Sequence, residues 1–460
     1  MRDEATGWAR EEFGDAALRD VRRTRRLIAL TAAVARRPAG TVTQVLDDAA
    51  EREGAYRFLE SHLVKSSALL RARHAAAARR CAALPFVFVA LDGSSLSVTD
   101  RRRARDVGGV GAWSKHGRGL QVISALAVTL RGAPIGLCGQ TWWARKRPSR
   151  SRYKPRDART GEHSHALRVI DEVRATLGRH APATRPWFQL DRGYDAWLVI
   201  KHFADHDLTF TMRATQDRRV LVDGEKSQLW DAVRRAKSLG TRLVDVPARG
   251  DEPARRARVS LRSKRVEVVL RIGSSCVRTV ELTAVLAKED RTGGLEWMLL
   301  TSVGATTFAA ASVVLDGYTA RWRIEDFHRV WKRGMCNVEQ TQLRGREALL
   351  KWATIHGAVA ARALRLTHLA REQPDLPATD EFTQDEIDTV LLLRDRRKKV
   401  TGKKLGDVPT MGELVRWIAD LGGYTGKSSG GPPGATVIGR GLERITFAAE
   451  VLALSRSREK

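Results

Sequence analysis

Apolar and polar residues along the chain change their period four times, and each change marks a different kind of segment. Residues 20–37 set Val21, Leu27, Ile28, Leu30 and Val34 among Arg22, Arg23, Arg25, Arg26, Arg36 and Arg37, the pattern of a basic amphipathic helix. Thr41 to Ala50 and Gly54 to Leu63 predict two short helices parted by a charged turn, an arrangement compatible with helix-turn-helix DNA binding. A basic bundle whose arginines are merely solvated fits the same pattern. A helical domain over residues 1–75 follows from either reading.

The period then shortens. Pro85 to Leu91 is a buried-strand run that leads into Asp92, and Leu120 to Leu130 and Pro134 to Trp143 predict a hairpin turning at Arg131-Gly132-Ala133. A helix over His165 to Gly178 precedes Pro186 to Leu190, a short strand that delivers Asp191; a helix (Ala196 to Asp205) and a strand (Leu208 to Met212) complete an α/β order. Residues 215–300 are strand-rich, with runs at 219–222, 242–246, 258–272, 280–287 and 297–302 and a short helix near 230–236, and are read as a β-rich insertion. Two long helices are expected at about 308–333 and 345–371. Pro374 and Pro377 break the chain before a helical C-terminal module over 375–460, so the middle domain spans 76–372.

Charge narrows the partner. Lys and Arg number 81 against 53 Asp and Glu, a formal +28. So basic a chain repels itself unless a polyanion relieves it, which makes nucleic acid the first candidate and an anionic membrane surface the second. No apolar run is long enough to span a bilayer, the N-terminus lacks a signal-peptide core, and Cys81, Cys138, Cys276 and Cys336 show no paired spacing. A cytoplasmic protein with reduced thiols is expected.

On a helical wheel at about 100° per residue, Tyr318, Arg321, Glu325 and Lys332 fall within an arc of roughly 60°, with Ile324, Phe327, Val330 and Trp331 opposite. One face is apolar; the other offers an acid among two cations and a phenol. Alone, Arg321 and Glu325 read equally well as a surface pair. Asp92 and Asp191 at strand ends supply two further hard oxygen donors, and three carboxylates in a basic protein suit Mg²⁺ or Mn²⁺ and phosphoryl transfer on nucleic acid.

The segment from Tyr318 to Lys332 resembles the Y-x2-R-x3-E-x6-K signature of bacterial cut-and-paste transposases of the insertion-sequence-four family, related to the Tn-five enzyme. Leu91-Asp92-Gly-Ser-Ser-Leu-Ser97 and Leu190-Asp191-Arg-Gly-Tyr-Asp195 are similar to that family's two aspartate segments. Trp8, Phe13-Gly14, Arg22 to Arg26 and Glu53 to Phe58 are similar to its DNA-binding domain, and Leu421 to Leu442 to its C-terminal module. The resemblance implies an α/β fold with an RNase H-like catalytic core, flanked by helical N- and C-terminal domains. It implies that Asp92, Asp191 and Glu325 bind two Mg²⁺ ions, Mn²⁺ substituting, and that the enzyme cuts element ends through hairpins and joins the 3′-OH ends to target DNA. It further implies that Tyr318, Arg321, Lys332 and Arg213 hold phosphates, that Trp297 stacks on a flipped base (a buried strand aromatic being the other reading), and that Arg22 and Arg26 contact DNA. The partners implied are the terminal inverted repeats, target DNA and a second copy of the chain. Gly93 stands where Thr often follows the first aspartate. A silent end-binding protein derived from such an enzyme is the alternative.

Two other signals carry less. Gly426-Lys427-Ser428 lacks the glycine and strand of a phosphate loop. Glu162-His163-Ser164-His165 reads as polar contacts at a helix start rather than as a metal cluster.

Overall fold

The computed structural model describes residues 4–100, 105–111, 117–145, 161–246, 253–272, 276–396, 402–426 and 432–458. Most of the charged link at 101–106 and part of the glycine-rich loop at 422–434 lie outside them.

Four helices open the chain: α1 (Glu4–Phe13), α2 (Val21–Arg36), α3 (Val42–Val45) and α4 (Ala49–Glu60). Side-chain caps fix where they start. Asp20 accepts from the Arg22 amide, Thr41 forms a capping box with Gln44, and Asp48 accepts from the Glu51 amide. The last cap corrects the expected charged turn. Glu51 to Glu53 lie inside α4, where acids at a helix N-terminus complement its dipole. Helix α5 (Ser66–Cys81) runs without a break through residue 75, where a boundary was expected, and packs on both the sheet and a later helix.

The sheet begins with β1 (Phe86–Ser97), β2 (Gly108–Gly109), β3 (Arg118–Val128) and β4 (Pro134–Trp143), followed by α6 (Glu162–His180), β5 (Arg185–Leu190), α7 (Trp197–Asp205) and β6 (Thr209–Arg213). Next come β7 (Arg219–Val222), β8 (Glu225–Gln228), α8 (Leu229–Arg234), β9 (Ser238–Val246), β10 (Arg255–Ile272), β11 (Cys276–Glu289) and β12 (Glu296–Thr301). Strand β1 pairs antiparallel with β3 and parallel with β5, and β5 parallel with β6. The strand-rich segment is continuous with this sheet, because β12 pairs antiparallel with β6 and carries β11, β10, β7 and β8 beyond it.

Both faces of the sheet are covered, which is why β1 reads as an unbroken apolar run. Val87, Val89 and Leu91 pack with Val169, Ile170 and Val199 of α6 and α7. Phe88 and Ala90 face the other way, toward the helices that follow β12: α9 (Phe308–Ala320), α10 (Trp322–Lys332) and α11 (Arg346–Glu372). The C-terminal region forms its own cluster from α11, α12 (Gln384–Arg396), α13 (Met411–Leu421) and α14 (Ala435–Arg458). None of the described helices is long and apolar enough to cross a membrane.

The single helix expected at 308–333 is two. Arg321 bonds back to Tyr318 and Ile324 back to Arg321, a turn tightened to three-residue spacing. The Thr319 hydroxyl donates to the Asp316 carbonyl at 2.9 Å, a back-bond of the kind that bends helices. Gly317 lets α9 cross the sheet closely, since a Cβ there would stand 2.7 Å from the Phe88 ring and the Gln189 amide.

Candidate active site

Strand register brings the first two acids together. Leu91 of β1 is level with Leu190 of β5, so Asp92 and Asp191 occupy the next level on adjacent parallel strands, one strand spacing (about 4.8 Å) apart. Parity sets their side. Leu91 and Leu190 point toward α6 and α7, so both aspartates are on the side of α9 and α10. Asp191 follows its strand as expected, and its Oδ1 accepts from the Gly193 amide at 2.8 Å. Asp92 does not end a strand. Strand β1 continues to Ser97 because β3 pairs with it from Phe88 onward, Asp92 opposite Ser124.

Helix α10 lies over this pair. Its buried Ile324, Phe327 and Trp331 anchor the apolar side, as the wheel requires, and Glu325 stands half-exposed on the other. Tyr318 and Arg321, expected on an open face, are instead buried, at 3% and 6% exposure. The Arg321 guanidinium reaches Glu325 at 2.9 Å and sits 5.8 Å over the Tyr318 ring, and its Nε is buried without a hydrogen-bond partner. The Arg213 cation at the end of β6 lies near Tyr318 and opposes the rise that burial imposes on its phenol. Lys332 donates to the Ser94 hydroxyl at 3.3 Å, which closes α10 onto β1 two residues past Asp92.

The charge balance is unusual. Burial pushes the Asp92 carboxyl up to about 7; Arg321 pulls it back, while Asp191 and Glu325 add to the rise. His328, one turn along α10 from Glu325, has Nδ1 3.8 Å from Asp92 and faces Ser124 with Nε2. Its burial drives its own pKa down to about 3, so it is a neutral neighbour rather than a counter-charge. Asp92 feels the charge of both other carboxylates, yet the three do not bring their oxygens within 4.8 Å of one another, since Glu325 is turned to Arg321. Its exposed side chain has room to swing. Two strand-borne carboxylates and a third on a facing helix, with one shared arginine between them, form an all-oxygen donor set short of positive charge, which fits a hard divalent cation.

Beside the aspartates a cleft of about 640 Å³ is lined by Asp92, Ser94, Gln121, Arg145, Asp191 and Tyr194, among others. Arg145 pairs with Glu162 at 2.6 Å, His163 bonds the Gly193 carbonyl at 3.1 Å, and His165 stacks on Trp143 at 4.0 Å. Glu162 to His165 thus make polar and ring contacts at the start of α6. Trp297, inside β12, is buried edge-on against Tyr318 and Trp322. Arg22 lies far off on α2, exposed and paired with Asp20, while the Arg26 guanidinium covers Gly54 of α4.

Sequence reasoning missed His328 and gave Asp195 no role. The buried Asp195 carboxylate accepts from the Thr215 and Gln216 amides and pairs with Arg218, which ties the turn after Asp191 to the end of β6. A helical residue three positions from Glu325, and an acid four positions from Asp191, were the available signals.

A sheet of this order with acids on two adjacent strands and on the helix that crosses them, in a strongly basic chain, suits phosphoryl transfer on nucleic acid. Family models sharpen that class: Transposase DNA-binding matches residues 5–64, Transposase DDE domain residues 152–361, and Transposase Tn5 dimerisation domain residues 358–460. The chain belongs to the Tn5-like DDE transposases, DNA-binding enzymes with an RNase H-like core that cleave and transfer DNA strands in dependence on a divalent metal. Asp92 lies in the stretch between the first two matches, so its place rests on the strand register alone.

Proposed function

We propose that Asp92, Asp191 and Glu325 are the metal-binding triad of this transposase and hold two Mg²⁺ ions, Mn²⁺ substituting. The observation that carries this is the level pairing of Asp92 with Asp191 beneath α10, in a site where burial and like charge lift Asp92 to about 7. Bound metal supplies Lewis-acid activation of water or a 3′-OH and stabilises the leaving oxygen.

The chain's own residues do the rest. Tyr318 and Lys332 hold phosphates on either side of the scissile bond, with Arg213 behind Tyr318. Arg321, whose Nε lacks a partner, would add a bidentate phosphate contact if Glu325 turned from it to hold a metal. Asp195 and His328 position Asp191 and Asp92 without touching DNA. Trp297, packed against Tyr318, either supports that residue or stacks on a flipped base.

In this reading the α1–α4 region, with Arg22 and Arg26 on α2, binds terminal inverted repeats in the bacterial cytoplasm. A first cut frees a 3′-OH, which attacks the opposite strand to close a hairpin; water reopens it and the ends join target DNA. Two copies work together in the synaptic complex through the C-terminal module at 375–460. The catalytic domain runs to 372, and its N-terminal boundary belongs in the turn before α5 rather than at residue 76.

The test incubates the full chain with DNA carrying the inverted repeats that flank its gene, in Mg²⁺. Hairpin-ended products from the wild type, and none from an Asp92→Asn variant that still binds the ends, are expected. Unimpaired cleavage by Asp92→Asn would overturn the assignment. A wild type that binds without cutting would mark a silent copy.

A further inference from the structure

Away from the triad, on the far side of the sheet, α6 and α7 bring together a second set of donors of different chemistry. Among the described residues, Asp171, His202 and His206 are the group of three His, Cys, Asp or Glu side chains whose ligand atoms all lie within 4.8 Å of one another. Asp171 projects from α6 on the side away from its buried Val169, Ile170 and Val173. His202 and His206 stand one helical turn apart at the end of α7, their rings stacked at 4.5 Å. His202 Nε2 is already 3.0 Å from Asp171 Oδ1.

We propose that Asp171, His202 and His206 form a binding site for a borderline transition-metal dication, zinc foremost, separate from the carboxylate triad. Two imidazoles and one carboxylate are the ligand mixture that selects zinc over magnesium, and three protein ligands leave a fourth position for water. Zinc holds such donors at about 2.0–2.2 Å, so ligands around one ion span at most roughly 4 Å. The exposed His206, just past the helix, needs only a small swing inward. Its position helps in a second way. The carbonyl end of α7 carries partial negative charge that favours a cation. Asp205 beside it is not a competing ligand, because Lys201 and Arg278 both hold its carboxylate.

The ion clips α6 to α7. Both helices flank the turn that carries Asp191: α6 touches that turn through the His163 bond to the Gly193 carbonyl, and α7 follows it directly. The clip is therefore structural, and its signature is stability rather than chemistry.

The test uses tag-free full-length protein titrated with Co²⁺ as the spectroscopic probe, in excess Mg²⁺ so that the all-oxygen site does not take up the probe. The wild type should bind one Co²⁺ with visible ligand-field bands of a nitrogen and oxygen set, and Zn²⁺ should displace it and raise the thermal midpoint. His206→Ala and Asp171→Asn should each weaken binding by more than about 10-fold and lose the thermal gain, while Glu325→Gln should bind Co²⁺ as the wild type does. Equal binding by the wild type and His206→Ala, or no Co²⁺ bands in the wild type, would overturn the proposal.

Discussion

Two regions of this protein bury charge, and they treat it in opposite ways. Between the N-terminal helices and α11 the buried Lys351 and Arg73 are met by protein acceptors, Arg73 Nε alone of their side-chain nitrogens staying unpaired. Lys351 donates to the Leu59 and Ser61 carbonyls at 2.8 and 2.7 Å, which caps the end of α4. Arg73, fully buried, donates to the Thr354 carbonyl and the Gln140 side chain, and Trp352 and His356 close the contact on Gly40 and Ala39. Beneath α10, by contrast, three carboxylates share one arginine, and the nearest histidine is neutral. A buried charge with its partners in place fixes a fold; like charges held close and partly desolvated without them keep free energy in reserve for a ligand. The same helical layer does both, a few turns apart.

Four substitutions would break or sharpen that contrast. Glu325→Gln should cost the largest effect and in function alone: cleavage falls by at least about 1,000-fold, equivalent to roughly 4 kcal/mol, while the urea midpoint holds or rises because a repelling charge is gone. A loss of stability there would place Glu325 with the structural charges. Asp195→Ala, which orphans Arg218 and two amides, should lower stability by about 3 kcal/mol and cleavage with it, measured by denaturant unfolding and end cutting on the same preparation.

Lys351→Met should cost about 1–2 kcal/mol by leaving two helix-end carbonyls unpaired, with no change in cleavage per folded molecule. Its pH dependence has a definite sign. Burial lowers the Lys351 ammonium to about 8, below its unfolded value of 10.5, so the unfolded chain binds more protons between those values. Wild-type stability should therefore rise relative to Lys351→Met as pH climbs from about 8 toward 10.5, and parallel profiles would refute the assignment. Arg22→Ala should be the mildest, within about 0.5 kcal/mol in stability. Its effect belongs in DNA binding, where the slope of log affinity against log salt should shrink by about 1.

The sequence made some of this legible because local pattern and final environment agree. Pro85 to Leu91 reads as a strand buried on both faces and is one; Ile324, Phe327 and Trp331 read as the apolar side of a helix and are. What stayed hidden depends on partners distant in the chain. The polar Gly93 to Ser97 is strand only because β3 runs beside it, and β12 joins the core sheet only through β6. The wheel placed Tyr318 and Arg321 on the side of Glu325 and Lys332, but it assumed one straight helix with that side open. The chain turns at Arg321, Trp297 packs edge-on against Tyr318, and both Tyr318 and Arg321 are buried. Burial of a charge is a tertiary property, and so the contrast between the two regions could not be read from spacing.

The central claim is that the deficit of positive charge at Asp92, Asp191 and Glu325 is filled by divalent cations. Anomalous diffraction from a Mn²⁺-soaked crystal of the full chain on its end DNA tests it most directly. The account predicts manganese peaks coordinated by Asp92 and Asp191, with Glu325 turned from Arg321 to complete the set. Manganese bound elsewhere, with Glu325 still paired to Arg321 and no peak between the two aspartates, would contradict it.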